Sequence, residues 1–248
     1  MTAPGWYPVF LREMLHFRRK FFKLGYLFSA MVAPLIYLAA FGFGLGRSVH
    51  IDRGDYLAFL LPGLVAMSSM YNSYNWIASS LNINRLYFRT FQIYVQAPVS
   101  PASVMVGEVL AGMAKGFFAS LLVIAVGFFS SPDFALGAPF VVALLMNCLL
   151  FSGLGVIVGM GTKSHEETAT YSNLFIMPMA FFSGTFFPLE KLPMAVKAVI
   201  YVLPLTHTGI LIRKQAFDGE GLWSLGVLVL YSLVFLLWGS RMIARYSE

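Results

Sequence analysis

The stretch FFSGTFFPLEKLP, residues Phe181–Pro193, ends an uncharged run that is long enough to cross a lipid bilayer. In it a Gly-Thr pair, a proline, an acid, a base and a second proline follow one another. The next uncharged run, Ala198–Ile212, has 15 residues. As a helix it measures about 22 Å, against a hydrocarbon core of about 30 Å. We therefore expect the chain to turn here without crossing.

The rest of the sequence also has the composition of a membrane protein. Of its 248 residues, 58% are apolar and 11% are charged, which is too little polar surface for a soluble globule. Five uncharged runs reach the length of a membrane span: Leu24–Gly46, Tyr56–Asn84, Phe134–Thr162, Thr168–Leu189 and Gly221–Ser240. A sixth, roughly Val104–Ser130, contains Glu108 and Lys115. The sequence thus predicts a single all-α integral membrane domain, residues 1–248, with six transmembrane helices.

Basic residues predict the orientation of these helices. Five precede the first span: Arg12, Arg18, Arg19, Lys20 and Lys23. With this segment in the cytoplasm, the cytoplasmic segments hold ten basic residues and the outer segments six. Both termini are then cytoplasmic. Because the basic residues lie at span ends, the net charge of +6 predicts contact with membrane lipids and not with nucleic acid.

The N-terminal segment, residues 1–23, has the pattern of an amphipathic helix. Phe10, Met14, Phe17 and Phe21 recur at helical spacing, with basic residues on the opposite side. We expect a helix that lies in the membrane interface. A simple basic flank of the first span is the alternative.

The segment after the fifth span, residues 189–214, is predicted to be a re-entrant helical hairpin on the outer face. Pro188, Pro193 and Pro204 divide it into short pieces, which membranes tolerate where protein or water surrounds the backbone. A seventh span here would place the basic C-terminus outside, against the charge rule. The hairpin is well placed to open or seal a pathway, and a passive packing element is the alternative.

The largest predicted cytoplasmic connection is Asn82–Ser103, with its central region at residues 82–98. Arg85 and Arg89 are spaced for one helical face, and Pro98 and Pro101 stop the helix and restart the next. A short half-apolar helix of this kind indicates a protein partner. Its alternative is a helix that rests on lipid headgroups.

Two ionisable residues lie within the third predicted span. Glu108 and Lys115 share a helix face with Gly112, and a helix that starts near Pro101 places Lys115 about 21 Å along its axis. Such groups normally face a cavity or a partner. A pathway role and a structural role both remain open. Pairs in G-x-x-x-G spacing, at Gly42–Gly46, Gly112–Gly116 and Gly155–Gly159, predict close helix packing.

Sequence motifs for catalysis, metal binding or ATP binding are missing or incomplete. His165–Glu167 lacks the second histidine of a zinc peptidase helix. GMGTKS, Gly159–Ser164, has Thr162 where a phosphate loop has the glycine before its lysine, and no preceding glycine at the required distance. We expect no catalytic residue, no metal site and no cofactor in this chain.

The stretch Phe181–Arg213 resembles the C-terminal signature of ABC type 2 exporter permeases, the family of the nodulation lipo-oligosaccharide, polysaccharide and drug exporters. Its signature elements are Phe182–Pro188 and Leu203–His207. Arg89, Ala97-Pro98-Val99 and the pair Gly107-Glu108 also match the family. With six spans, an interfacial helix and about 250 residues, the resemblance covers the whole chain.

The resemblance implies a permease that dimerises in the bacterial inner membrane and docks two separate ATPase subunits, which bind ATP and magnesium. The residues implied to couple to the ATPase are Arg85, Arg89, Phe91 and Gln92. Many relatives carry an acid where this chain has Phe91-Gln92, so no ion pair is transferred to Gln92. The residues implied to form an extracellular gate are Thr185, Pro188, Pro193, Pro204 and His207.

The leading hypothesis is a homodimeric exporter subunit that moves an amphiphile, such as a lipid-linked glycan, a lipo-oligosaccharide or a hydrophobic drug, out of the cytoplasm or the inner leaflet. The runner-up is a membrane enzyme that modifies lipids or glycans with Glu108 and Lys115. A non-transporting membrane scaffold is a third possibility. An ATPase gene beside this one would favour export.

Overall fold

The computed structural model describes residues 4–21, 24–45, 56–131, 134, 136–189 and 192–246, which form helices and loops without any strand. The α-helices are α1 (Trp6–Phe21), α2 (Leu24–Tyr37), α3 (Tyr56–Leu86), α4 (Phe91–Gln96), α5 (Pro101–Ser130), α6 (Ala138–Gly161), α7 (His165–Tyr171), α8 (Met177–Phe182), α9 (Met194–Ile200), α10 (Pro204–Ile212) and α11 (Gly219–Ala244). Two wider-turned π-helical segments extend them: Leu38–Leu45 continues α2, and Ser172–Ile176 joins α7 to α8. The predicted all-α class is confirmed.

Three of the described helices, α5, α6 and α11, are long and apolar enough to cross a membrane. The pair α9 and α10, bent by 96°, adds a fourth if it counts as one span. With 31 residues, α3 has the length, about 46 Å, but its serines and asparagines make it less apolar. The predicted fifth span is helical from His165 only to Phe182, because a turn at Gly184, with φ of 76°, follows.

Some expectations lie outside the described residues. They concern Lys23, the last of the five basic residues before the first predicted span, and Gly46, which ends that span and belongs to one glycine pair. They also concern the outer basic residues Arg47, Arg53 and Lys191.

The long helix α3 is the centre of the bundle. It packs along α5 and α6, α11 lies against α6, and α1 lies against α5. One core cluster joins α3 and α6 to α10 through buried side chains such as Leu64, Phe151 and Leu205. A second joins α1, α4 and the C-terminal half of α3 through Val9, Phe91 and Leu81. The fold therefore connects both ends of α3 to short helices.

Glycines allow α3 to approach its neighbours closely, as the spacing predicted. A Cβ atom at Gly155 of α6 would lie 2.8 Å from the Tyr74 carbonyl oxygen, and one at Gly159 would lie 2.9 Å from that of Ala78. On α5, a Cβ at Gly116 would lie 2.9 Å from the Ser69 carbonyl oxygen. These contacts are with backbone, which cannot rotate away, so larger residues would push the helices apart.

We expect Gly155→Ala to destabilise the purified chain by about 1–3 kcal/mol, because the added methyl group overpacks the contact between α6 and α3. The matched control is Gly226→Ala in α11, where an added Cβ meets no atom within 4 Å. Thermal unfolding in detergent compares the two variants. Equal midpoints would show that the close helix contact does not limit stability.

Candidate functional site

A cleft of about 710 Å³ runs along α3, beside α2. Its lining on α3 extends from Met67 to Asn84, about 26 Å along the helix, which is close to the thickness of a hydrocarbon core. Four of its polar residues recur at helical spacing on one face of α3: Ser68, Asn72, Asn75 and Ser79. Tyr71 and Trp76 flank them. The cleft therefore combines a stripe of neutral polar groups with aromatic rings.

The chemistry of this stripe suits a ligand with several hydroxyl groups. Amide and hydroxyl side chains both donate and accept hydrogen bonds, and aromatic rings offer flat apolar surfaces. The Asn72 side chain donates to the Ser68 carbonyl oxygen at 2.9 Å, which leaves its amide oxygen as an acceptor. Polar side chains at such depth usually face a cavity or a transport pathway. Sequence reasoning missed this stripe, although the spacing of four, three and four residues between its members places them on one face of a helix.

Lys115 is fully buried and forms an ion pair with Glu13 of α1, at 2.8 Å from Nζ to Oε2. Its ammonium group also lies 4.4 Å from the centre of the Trp76 ring. The Trp76 indole and the Ser80 hydroxyl donate to the same carboxylate, each at 3.3 Å. The ion pair therefore fixes α1 to α5 and α3.

The partner of Lys115 was not predicted, although a signal for it exists. Glu13 lies four residues from both Val9 and Phe17, so it falls on the apolar face of α1. Glu108 is also buried, and its carboxylate oxygens have no hydrogen-bond partner among the described residues. Lys115 thus pairs with a residue of another helix. Neither Lys115 nor Glu108 lines the cleft along α3.

The predicted coupling region has a different shape from the one expected. Arg85 and Arg89 do not share a helical face, because α3 ends at Leu86 and Arg89 has a left-handed backbone with φ of 52°. Arg89 is exposed and Arg85 is partly buried. We use the name docking segment for residues 87–96, which comprise this turn and α4.

The docking segment is anchored on its inner side and apolar on its outer side. Phe91 is fully buried against Tyr94 and Tyr246, so its ring positions α4 and is not available to a partner of this surface. Gln92 is partly buried. The exposed apolar side chains are Tyr87, Phe88 and Ile93, each more than 60% exposed. A cluster of this kind marks an interaction surface.

Arg12 of α1 holds the docking segment to the bundle, and Arg85 ties the end of α3 to the end of α6. Arg12 of α1 donates to the Tyr94 hydroxyl at 2.8 Å and to Thr90 Oγ1 at 2.9 Å. Arg85 donates to the carbonyl oxygen of Thr162, at the end of α6. Since Glu13 follows Arg12, α1 bridges the docking segment and the buried Lys115. A displacement of α4 therefore acts directly on α1.

The residues of the predicted gate lie at the other end of α3. Pro193 precedes α9 and Pro204 begins α10, as their helix-starting role predicts. His207 is buried, with Nε2 2.9 Å from the Tyr201 carbonyl oxygen and Nδ1 3.3 Å from Ser224 Oγ. It fixes the bend between α9 and α10 to α11.

Arg213, which sequence reasoning did not single out, joins the turn around Gly184 to α3 and α10. Its guanidinium donates to the carbonyl oxygens of Phe59, Gly184, Thr185 and Gly209 at 2.8–3.3 Å. Thr185 is buried beside Gly63 of α3, and Pro188 is partly buried. Arg213 therefore holds the turn that carries Thr185 against α3 and α10.

The loop after α10 carries an exposed charge cluster. Lys214 Nζ lies 2.6 Å from carboxylate oxygens of both Asp218 and Glu220. The hydrogen bond from Lys214 lowers the pKa of Asp218, and the bond to Asp218 raises the pKa of Lys214. Asp218 also caps α11 by accepting from the Gly221 N–H at 2.7 Å.

No group of three metal-ligating side chains occurs in the part of the chain that the structure describes. His165 begins α7 on the exposed side, after the cap provided by Ser164. The described polar groups thus line the cleft along α3, form the ion pair between Glu13 and Lys115, and fix the bend between α9 and α10.

Comparison with known proteins identifies the family. Nodulation protein J of Rhizobium meliloti (strain 1021) is 32% identical over 84% of this chain and 80% of its own length. That of Rhizobium leguminosarum bv. viciae is 29% identical over 97% of this chain and 94% of its own length. The inner membrane transport permease YadH of Escherichia coli (strain K12) is 28% identical over 72% of each chain. Because residues 9–217 match the family model described as ABC-2 type transporter, the chain belongs to the ABC-2 type transporter family.

Proposed function

We propose that the chain is the transmembrane permease subunit of an ATP-driven exporter and that the cleft along α3 receives the polar part of an amphiphilic substrate. The observation that carries this proposal is a stripe of neutral polar side chains on a helix of membrane-spanning length. A lipid-linked glycan or a lipo-oligosaccharide has hydroxyl groups for this stripe and chains for the adjacent lipid. A hydrophobic drug uses mainly the rings of Tyr71 and Trp76.

Six crossings fit the described helices. One crossing each comes from the three long apolar helices α5, α6 and α11, and a fourth comes from α3. The fifth is α2 together with its π-helical extension, and the sixth is the helical stretch from His165 to Phe182. The pair α9 and α10 then forms the re-entrant hairpin, supported by its 96° bend. The charge rule places both termini in the cytoplasm and α1 in the cytoplasmic interface. The membrane is the bacterial inner membrane, the one named for YadH.

The gate closes the outer end of the cleft in this proposal. The rings of Phe41 and Phe186 lie 4.6 Å apart, and Phe186 also stacks on Phe181 at 5.3 Å. These rings lie beside Thr185 and Pro188, while Pro193, Pro204 and His207 fix the bent hairpin behind them. An apolar plug excludes water until the hairpin moves.

Energy comes from partner chains in this proposal. Two copies of a cytoplasmic ABC ATPase bind ATP and magnesium, and each contacts one docking segment of a permease homodimer. Arg89 and the exposed apolar side chains supply the contact, while Arg85, Phe91 and Gln92 support it from inside. Coupling follows because ATP-bound ATPases bind one permease conformation better than the other.

The enzyme alternative needs Glu108 and Lys115 to meet a substrate. Both are at most 1% exposed, and Lys115 is paired with Glu13. The geometry therefore favours transport.

Asn72→Leu with Asn75→Leu is expected to lower export about 25-fold, because each lost hydrogen bond to the substrate is worth about 1 kcal/mol, or fivefold. Proteoliposomes with the ATPase and a fluorescent lipid that carries an oligosaccharide headgroup measure ATP-driven transport. The control is Asn173→Leu, an exposed amide outside the cleft lining. Unchanged export by the double variant would contradict the substrate role of the cleft.

A further inference from the structure

A second cleft, of about 670 Å³, lies where the last turns of α3, α6 and α11 meet. We use the name arginine cleft for it. Its lining consists of Arg85, Met160, Trp238, Arg241, Met242, Arg245 and Tyr246. Three of these seven residues are arginines and none is acidic. A strongly basic cleft at the end of apolar helices is a separate feature from the cleft along α3.

No acidic residue that the structure describes forms an ion pair with the arginines of this cleft. Arg241 and Arg245 are exposed and form no ion pair with a described acidic residue. Arg85 lies over the Tyr246 ring, 6.0 Å from its centre. Glu167 acts on Arg85 electrostatically, but its carboxylate accepts the Lys163 backbone N–H at 2.6 Å. The cleft thus retains positive charge for an external anion.

The position of the cleft along α11 places it at the level of lipid headgroups. The uncharged run Gly221–Ser240 has 20 residues, about 30 Å as a helix, and Arg241 comes directly after it. Trp238 lies one turn earlier and is 55% exposed, as is usual for the membrane interface. Trp238, Arg241 and Arg245 share one face of the helix.

We propose that the arginine cleft binds the phosphodiester headgroup of an anionic phospholipid. Arg241 and Arg245 hold the phosphate oxygens through charge-assisted hydrogen bonds, which guanidinium groups make in pairs. Met160, Met242 and Trp238 give apolar contact for the first part of the acyl chains. Basic pockets between helices at the cytoplasmic surface bind anionic headgroups in this way.

A phosphate group occurs both in lipids and free in solution, and the apolar half of the lining favours the lipid. Methionine and tryptophan contacts at the edge of the hydrocarbon core are useless to a free anion but suit a molecule that enters from the membrane. The side of the membrane rests on the proposed topology. Lipid binding requires neither the ATPase nor transport. The lipid proposal and the export proposal are therefore tested by separate experiments, and one can be wrong while the other holds.

The test titrates the purified full-length chain in mild detergent with phosphatidylglycerol or phosphatidylcholine and counts bound lipids by native mass spectrometry. Arg241→Gln with Arg245→Gln is expected to lower phosphatidylglycerol affinity about 25-fold, about fivefold per arginine. Phosphatidylcholine binding stays weak and unchanged. The matched control is Arg18→Gln with Arg19→Gln, which removes two exposed arginines of α1. The control should lose much less phosphatidylglycerol affinity than the Arg241 and Arg245 variant, because Arg18 and Arg19 do not line the cleft.

Three results would overturn the proposal. Equal losses in the control pair would show a general effect of net charge. Displacement of phosphatidylglycerol by equimolar inorganic phosphate would identify a soluble anion as the ligand. Retained lipid binding by the Arg241 and Arg245 variant, with lost binding of the ATPase in a pull-down, would identify the cleft as a protein contact. Thermal unfolding of both variants confirms that they are folded.

Discussion

Replacing Lys115 by methionine is expected to destabilise the chain by about 3–5 kcal/mol, because the Glu13 carboxylate is left buried without its cation. Both side chains are at most 1% exposed, so water cannot take the place of the ammonium group. The remaining donors, Trp76 and Ser80, are neutral and bond weakly at 3.3 Å. Titration of the purified protein with a denaturing detergent measures the free energy of unfolding.

Two further variants distinguish the effect of the ion pair on stability from the effect of burying a carboxyl group. Lys115→Met combined with Glu13→Gln should recover much of the lost stability, because no unpaired charge remains. Glu108→Gln changes an equally buried carboxyl that has no hydrogen-bond partner among the described residues, so its effect should be smaller than that of Lys115→Met. If the double variant were as unstable as Lys115→Met, the pair would not be the source of the loss.

Much of the helical framework was predictable because membrane helices depend on local properties. Uncharged runs predicted the long helices, and Pro101 and Pro204 each begin a helix because proline fits a first turn. The glycine spacings also predicted close contacts, which the structure shows at Gly155 and Gly159. These signals need no knowledge of which helix lies beside which.

The site depends on contacts between distant residues, and these were not predictable in the same way. Glu13 and Lys115 are 102 positions apart, so their pairing requires the packing of α1 against α5. Arg89 appeared to continue the face of Arg85, but its left-handed backbone turns the chain away before α4. Arg213 is an ordinary loop cation in sequence and becomes a bridge only when three elements meet.

The contacts of Arg12 and Glu13 in α1 give the proposed coupling a physical route. Arg12 holds the docking segment, and the next residue, Glu13, holds α5 through Lys115. In the proposed coupling, motion of α4 passes to α5 and α3 through these side-chain contacts. The cleft for the proposed substrate is lined by the same helix α3, so α3 connects it to this route.

Disruption of the docking segment is expected to abolish ATP-driven export and leave the chain folded. The variant is Arg89→Asn with Ile93→Asp. Asparagine removes the charge and tolerates the left-handed backbone, and aspartate places a charge on an apolar side chain that is 63% exposed. A charge forced into an apolar contact with the ATPase is unpaired and loses its water. Transport in proteoliposomes and co-purification of the ATPase measure the effect.

The matched control is Lys214→Gln with Phe217→Asp, which changes a cation and an exposed ring in the loop before α11. That loop lies at the opposite end of α3, about 40 Å from the docking segment along the helix axis, because Arg213 contacts Phe59 in the first turn of α3. Its exposed ion pairs contribute little to stability. The control should bind the ATPase and transport normally. If both double variants lost export to the same extent, or if the docking variant exported normally, residues 87–96 would not be the surface through which ATP hydrolysis drives the permease.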